Sequence, residues 1–252
     1  MRAHPIQAHA ATAAAALGRV RDRRPRVHCL TSPVALELSA NVLLAVGAVP
    51  SLTGHAFSVR DFVAATDALV VNLGMLEPAR EDAARAAAET AHVLGRPWLL
   101  DPVKVELSRD RLAFARRLLA FGPTVVRCNG AEIAALGGED PARLAAATPT
   151  VVARTGAEDL VTDGARHVAI ANGSELMDRV TAVGCAASAL VGAFLAVEPD
   201  PWAATAAALL VMGVAGEVAA EGARGPGSFA AELLDALHAL DEPVLLERAR
   251  AW

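Results

Sequence analysis

Short apolar or β-branched runs, each closed by turn residues, recur along this chain with longer Ala/Leu-rich segments between them, and this alternation limits the possible folds most. The runs "VHCLT" (27–31), "DALVVNLG" (67–74), "PWLLDPV" (97–103), "TVVRCN" (124–129) and "TVVART" (150–155) read as strands buried on both faces. Helical patterns lie between them at about 34–46, 77–94, 109–121 and 129–137. Strand and helix in turn make βαβ units, which build a mostly parallel sheet covered on both sides. At "EDLVTDGARHVAIANGSEL" (158–176) the rhythm changes to two short strands about a "DGA" turn, so an antiparallel pair is expected to edge the sheet. Three helices follow, at about 184–197, 201–222 and 227–240. Neither a repeat nor a Pro/Gly/Ser-rich linker divides the 252 residues, and the chain reads as one α/β domain, 1–252, with residues 1–26 as a leading helix and basic segment.

Composition narrows the partners. Hydrophobic residues are 54% of the chain and aromatic residues only 4%, with no Tyr, so Ala, Leu and Val must build the core and no aromatic platform for nucleic acid is available. The net charge is −5, and the one basic block, "RVRDRRPR" (19–26), reads as a solvated helix end rather than a nucleic-acid arm. Cys29, Cys128 and Cys185 are odd in number and lack zinc-ligand spacing, which points to a reducing, cytoplasmic setting. The N-terminal stretch reads as an exposed leading helix, not a signal peptide. Residues 180–197 and 202–216 carry no charge. Their Ala, Gly, Ser, Thr and Cys content and the absence of flanking basic clusters favour a buried helical hairpin over a membrane-spanning one.

Ligands of such sheets bind beyond the carboxyl ends of the strands. The residues that follow the strands are Thr31-Ser32-Pro33, Asn72-Leu73-Gly74, Asp101-Pro102-Val103, Arg127-Cys128-Asn129 with Glu132 one turn on, and Thr155-Gly156. "DPV" (101–103) sets a carboxylate at a strand end, a position a turn residue also fills. "NGAE" (129–132) is equally a helix-capping pattern. Taken together, the two motifs offer the oxygen ligands that Mg²⁺ accepts while it keeps waters for phosphates. "TAVG" (181–184) leads into an apolar helix whose free N–H groups would receive a phosphoryl group. Cys185 falls in that first turn. Two readings stand for it: a thiol of depressed pKa facing a substrate, or a small core residue.

The stretches "VHCLTSPV" (27–34), "ANVLLAVGAVP" (40–50), "DALVVNLGML" (67–76), "LLDPV" (99–103), "VVRCNGAEI" (125–133), "RTGAEDLVTDG" (154–164), "NGSELMDRVTAVGCAASALVGAF" (172–194) and "GPGSF" (225–229), in this order, resemble the hydroxyethylthiazole kinase family. The resemblance implies a ribokinase-like three-layer α/β/α fold with a mostly parallel central sheet. It implies transfer of the ATP γ-phosphoryl group, with Mg²⁺, to the hydroxyl of 4-methyl-5-(2-hydroxyethyl)thiazole in thiamine biosynthesis or salvage, by a homotrimer with active sites between subunits. By motif, Cys185 stands where the wider superfamily has its catalytic aspartate. Arg127 and Thr155 stand at ATP-contacting positions, Leu52 and Ala182 at thiazole-contacting positions, and Asp101 and Glu132 at acidic positions associated with metal and phosphates.

The chain departs from the family pattern in two turns. Ala182-Val183-Gly184-Cys185 replaces Gly-Thr-Gly-Cys, and "KVELS" (104–108) replaces a Gly-rich "GxGAT". Ser32 stands for a usual Asn, Cys128 for a Gly and Leu52 for a Met. The altered turns leave two other readings beside a thiazole-alcohol kinase: a kinase of another small hydroxymethyl heterocycle, and a catalytically degenerate nucleotide- or thiazole-binding protein.

Overall fold

The structure, a computed structural model, describes residues 5–137 and 140–252. Eight strands form one sheet in the order β2-β1-β3-β4-β5-β6-β7-β8. They are β1 (Arg26–Leu30), β2 (Val49–Ser51), β3 (Ala68–Asn72), β4 (Trp98–Asp101), β5 (Val125–Asn129), β6 (Val151–Thr155), β7 (Asp159–Thr162) and β8 (His167–Ile170). The first six pair in parallel, while β7 and β8 add an antiparallel edge, as the change of rhythm at 158–176 predicts. The register sets Asn72 beside Asp101 and Asn129 beside Thr155, so the polar strand ends share one rim.

Alternate residues of each strand enter two different cores, because successive side chains point to opposite faces. Val70, Leu99 and Val125 pack with α1 (Pro5–Arg23), α2 (Leu36–Ala45), α8 (Val183–Leu195), α9 (Pro201–Gly222), α10 (Pro226–Ala239) and α11 (Glu242–Arg248). Leu69, Val71, Leu100 and Val126 pack with α3 (Val59–Ala64), α4 (Pro78–Leu94), α5 (Arg109–Leu119), α6 (Gly130–Leu136) and α7 (Pro141–Ala147). This is the expected three-layer α/β/α arrangement. Helix α8 lies directly on the sheet: a Cβ at Gly192 would stand 2.8 Å from Val70 and 3.0 Å from Val27.

Several local expectations change. The short α3, α7 and α11 and the three-residue β2 do not stand out in the sequence, because elements this brief carry little periodicity. Helix α1 is not an exposed leader. Its Ala10, Ala13, Ala16, Leu17 and Val20 are buried in the core with α9, since these small residues at spacings of three and four make a stripe that another helix can approach closely. Residues 1–4 of the leading segment lie outside the described residues. The basic block is also partly committed, with Arg19 paired to Glu198 and Arg21 donating to the last carbonyls of α10, Leu237 and His238. Helix α9 is long and apolar enough to cross a membrane by composition, yet 78% of its apolar window is buried within the protein. Helix α8 is only 13 residues long.

Candidate active site

The direction of strand order reverses between β1 and β3, the kind of switch point where open α/β sheets form a crevice. A cleft of about 710 Å³ extends along the rim from Asp101 and Cys185 to the β7–β8 end, and Arg127, Glu132, Thr155, Asp159, Asn172 and Gly184 also line it. It thus gathers five of the seven expected site residues. Ala182 is the residue before α8 at its mouth. Leu52 lies apart, half-buried after edge strand β2 and packed on the α8 side of the sheet.

At the heart of the site two side chains meet at one oxygen of the Asp101 carboxylate. Asn72 Nδ2 donates to Asp101 Oδ2 at 2.8 Å, and Ser188 Oγ donates to the same oxygen at 2.8 Å. The Asn72 amide also points at Cys185 Sγ, 3.3 Å away, while its Oδ1 accepts from Gly74 N at 3.0 Å. Asn72 is therefore fixed in one orientation and joins Asp101 to the cysteine. Ser188 is not among the residues singled out from sequence, and Asn72 is expected only as part of the strand-end rim, with no role assigned to it. Ser188 was detectable as the residue three positions after Cys185, on the same helical face, and Asn72 as a polar strand end.

Burial decides the protonation chemistry. Asp101 is 4% exposed, and desolvation pushes its carboxyl up to about 6, against the opposing pull of Arg127, Ser188 and Asn72. Cys185 behaves contrary to the depressed thiol expected at a helix N-terminus: desolvation, reinforced by the Asp101 charge, pushes it up to about 11. The helix dipole yields here because removal from water and a nearby like charge both disfavour the thiolate. The thiol is neutral at physiological pH. Cys29 and Cys128 are buried in the two cores, as expected, and burial raises both.

A cationic end faces this cluster. Arg127, on β5, lies 4.0 Å from Asp101 with its Nη1 3.5 Å from Ser188 Oγ, and its buried Nε has no partner among the described residues. The guanidinium lies over the start of α8, where a Cβ on Gly184 would be 3.7 Å from both terminal nitrogens. A charged donor group and the free N–H groups of a helix N-terminus thus converge on one space, an arrangement that stabilises an anion.

Glu132 is chiefly a clamp. Its Oε2 accepts from Asn129 N at 2.8 Å, while Asn129 Oδ1 accepts from Glu132 N at 2.9 Å, a complete capping box. Its Oε1 accepts from Lys104 N at 2.8 Å. This last bond holds the "KVELS" turn, in which Lys104 adopts the left-handed φ of 55°. Ala182 likewise keeps a left-handed φ of 71°. Both altered turns thus retain backbone geometry that glycine adopts freely.

Among the described residues no group of three or more His, Cys, Asp or Glu side chains gathers to hold a metal ion. That does not exclude Mg²⁺, which is held by one or two carboxylates together with water and phosphate. Asp101, which lines the cleft, suits this: among the described residues its side-chain hydrogen bonds all fall on Oδ2. Glu132 can contribute only lone pairs left over from its two backbone bonds.

The doubly covered parallel sheet, its switch point and the anion-accepting start of α8 define a doubly wound α/β protein, and comparison with solved structures shows the fold to be ribokinase-like. A ribokinase-like superfamily protein from Enterococcus faecalis shares the fold, with a TM-score of 0.69 at 13% identity over 88% of this chain and 90% of that one. The hydroxyethylthiazole kinase family profile matches residues 17–143 and 140–243. A hydroxyethylthiazole kinase of Cereibacter sphaeroides is 46% identical, covering 93% of this chain and 96% of the relative. The solved structure of a hydroxyethylthiazole kinase protein from Pyrococcus horikoshii superposes with a TM-score of 0.92 at 39% identity, over 95% and 98% of the two chains. The chain belongs to the hydroxyethylthiazole kinase family.

Proposed function

We propose that this chain transfers the γ-phosphoryl group of ATP to the hydroxyl of 4-methyl-5-(2-hydroxyethyl)thiazole, as a step of thiamine biosynthesis or salvage. The observation that carries this reading is the Arg127 guanidinium, without a partner at Nε among the described residues and set over the N-terminus of α8, immediately beside the Asp101–Asn72–Cys185 cluster. The family membership supplies the substrate. Arg127 and the first N–H groups of α8 neutralise the transferring group, and Thr155 and Gly156 line the cleft along which the nucleotide lies.

Cys185 contacts the acceptor hydroxyl as a neutral, compact thiol and is not a strong base. Phosphoryl transfer has a loose transition state in which position and charge neutralisation dominate, so a strong base is dispensable. Asp101 and Glu132 would hold Mg²⁺, which supplies charge neutralisation at the phosphates when bound. Ala182 borders the acceptor end of the cleft. Leu52, assigned to the thiazole by family resemblance alone, lies on the β2 edge apart from this cleft.

Further copies of this chain complete the site in a homotrimer. Support comes from Val34, Leu36, Leu44, Val49 and Phe57, which stand exposed around the free edge of β2, Phe57 at 91%. Such exposed apolar surface marks an interaction face, and an unpaired edge strand needs cover. The three free cysteines suit the reducing cytoplasm.

The test is production of phosphorylated thiazole alcohol and ADP, run beside a panel of hydroxymethyl pyrimidines and pyridines. Product from the thiazole alcohol at the highest kcat/KM supports the reading. Preference for another alcohol would reassign the acceptor, and tight ATP binding with no product from any alcohol would leave a binding protein.

A further inference from the structure

One wall of the cleft, at the β7–β8 end, is built by Ala171, Asn172 and Gly173 against Leu209, Met212 and Gly213 of α9. It is built of small and apolar residues apart from Asn172, and the adjoining Ser174, Glu175 and Asp178 also line the cleft, so it carries no cation such as the Arg127 end presents. Four strand spacings separate β4, which carries Asp101, from β8, roughly 19 Å across the sheet. A nucleoside triphosphate with its terminal phosphate at Arg127 would run its base toward this wall.

The Asn172 side chain, although it lines the cleft, is fully engaged behind it. Its Nδ2 donates to Glu217 Oε1 at 3.0 Å and to Arg248 O at 2.8 Å, and its Oδ1 accepts from Arg250 N at 2.7 Å. Glu217 Oε1 also accepts from Gly173 N at 3.0 Å and pairs with the Arg250 guanidinium. Beyond it the chain meets β8 in a single antiparallel bridge, Ile170 opposite Ala251. Ala171 N donates to Arg250 O at 2.9 Å, and Ala169 and Trp252 exchange both backbone bonds at 2.8 and 3.0 Å. On the other side, Asn172 O presses onto α9, where a Cβ at Gly213 would stand 2.6 Å away. Glu217, Arg248, Arg250 and Trp252 do not line the cleft.

We propose that residues 248–252, acting through Glu217 and Asn172, fix the wall that receives the nucleotide base, so that this segment sets nucleotide affinity and base preference without touching the nucleotide. The inference rests on the reading of the cleft as a nucleotide site. Glu217 is a positioning residue in this scheme.

The experiment is calorimetric titration of the whole protein with ATP and with GTP, paired with steady-state kinetics, for Glu217→Ala, Glu217→Gln and Arg250→Ala. Glu217→Ala is expected to raise the Kd for ATP about tenfold or more while kcat at saturating ATP and KM for the alcohol stay within about twofold. Its preference for ATP over GTP should narrow. Glu217→Gln keeps an acceptor oxygen and should stay within about threefold of the parent. Arg250→Ala, which loses only the guanidinium bonds to Glu217 and Ala171 O, should shift ATP affinity in the same direction and serves if Glu217→Ala does not fold. Asp140→Ala, which removes the N-cap of α7 away from the cleft, is the control: a lower Tm with unchanged Kd. Should the Glu217 and Arg250 variants behave like this control, the segment is only structural and the inference is overturned. A parent protein that binds neither nucleotide would instead overturn the assignment of the cleft, and the inference with it.

Discussion

Replacing Asp101 by Asn should make this protein more stable and nearly inactive. Burial raises the Asp101 carboxyl from 3.8 to about 6, a net result that already includes the attraction of Arg127 and the bonds from Ser188 and Asn72. The native state thus holds this proton more tightly than the unfolded chain does. Stability attributable to the group falls as pH rises from about 4 to about 6, and the full penalty stands above that window. At 1.36 kcal/mol per pH unit the gap is about 3 kcal/mol. Asn carries no such penalty and can present its Oδ1 to both Asn72 and Ser188, so Asp101→Asn should gain about 1–3 kcal/mol at pH 7.5, or roughly 3–10 °C in Tm for a chain of this size. Urea unfolding in nucleotide-free, metal-free buffer at pH 7.5 and at the lowest pH where both proteins remain folded measures this directly. The gain should shrink toward zero near pH 4, while turnover falls by about two or more decades as the phosphate end loses a carboxylate. A variant no more stable than the parent at pH 7.5, or a gain that persists unchanged at low pH, would refute the reasoning.

Three further outcomes follow from the site. Cys185→Ala should keep turnover within about tenfold and leave the pH–rate profile without a thiol limb between pH 7 and 9, since the thiol is neutral there; a loss of about a thousandfold would restore the cysteine as an essential base. Glu132→Gln leaves one of two backbone N–H donors facing an amide NH₂, so it should lower stability by about 1–3 kcal/mol and weaken Mg²⁺-dependent turnover, and an unchanged melting temperature would mean that the Lys104 turn does not depend on this clamp. Gly184→Ala should fold normally, because its Cβ would meet only Arg127 at ordinary contact distance, yet raise the KM for ATP about tenfold by filling the anion space; equal kinetics would move the phosphate elsewhere.

Much of this molecule is legible in its sequence, because the decisive signals are local. Two-sided apolar runs between helical segments dictate a covered parallel sheet, and the side-chain period of two divides each strand between two cores. Those rules place Asp101, Asn129 and Thr155 on one rim and start an apolar helix at about residue 184, one residue from its observed start at Val183. Glycine-like turns persist at Lys104 and Ala182 although neither residue is glycine, which the sequence alone presents as a loss. The rest depends on what distant segments bring. Asn72 and Cys185 are 113 residues apart, and Asp101 and Ser188 are 87 apart; only folding makes them one cluster. The same folding removes water from the Cys185 thiol and sets a carboxylate near it, reversing the pKa direction that helix position alone predicts. It commits both oxygens of Glu132 to backbone donors and buries the stripe of α1. Sequence pattern determines which face of an element seeks burial, whereas the partner that buries it, and the charges that partner carries, are fixed only by the tertiary structure.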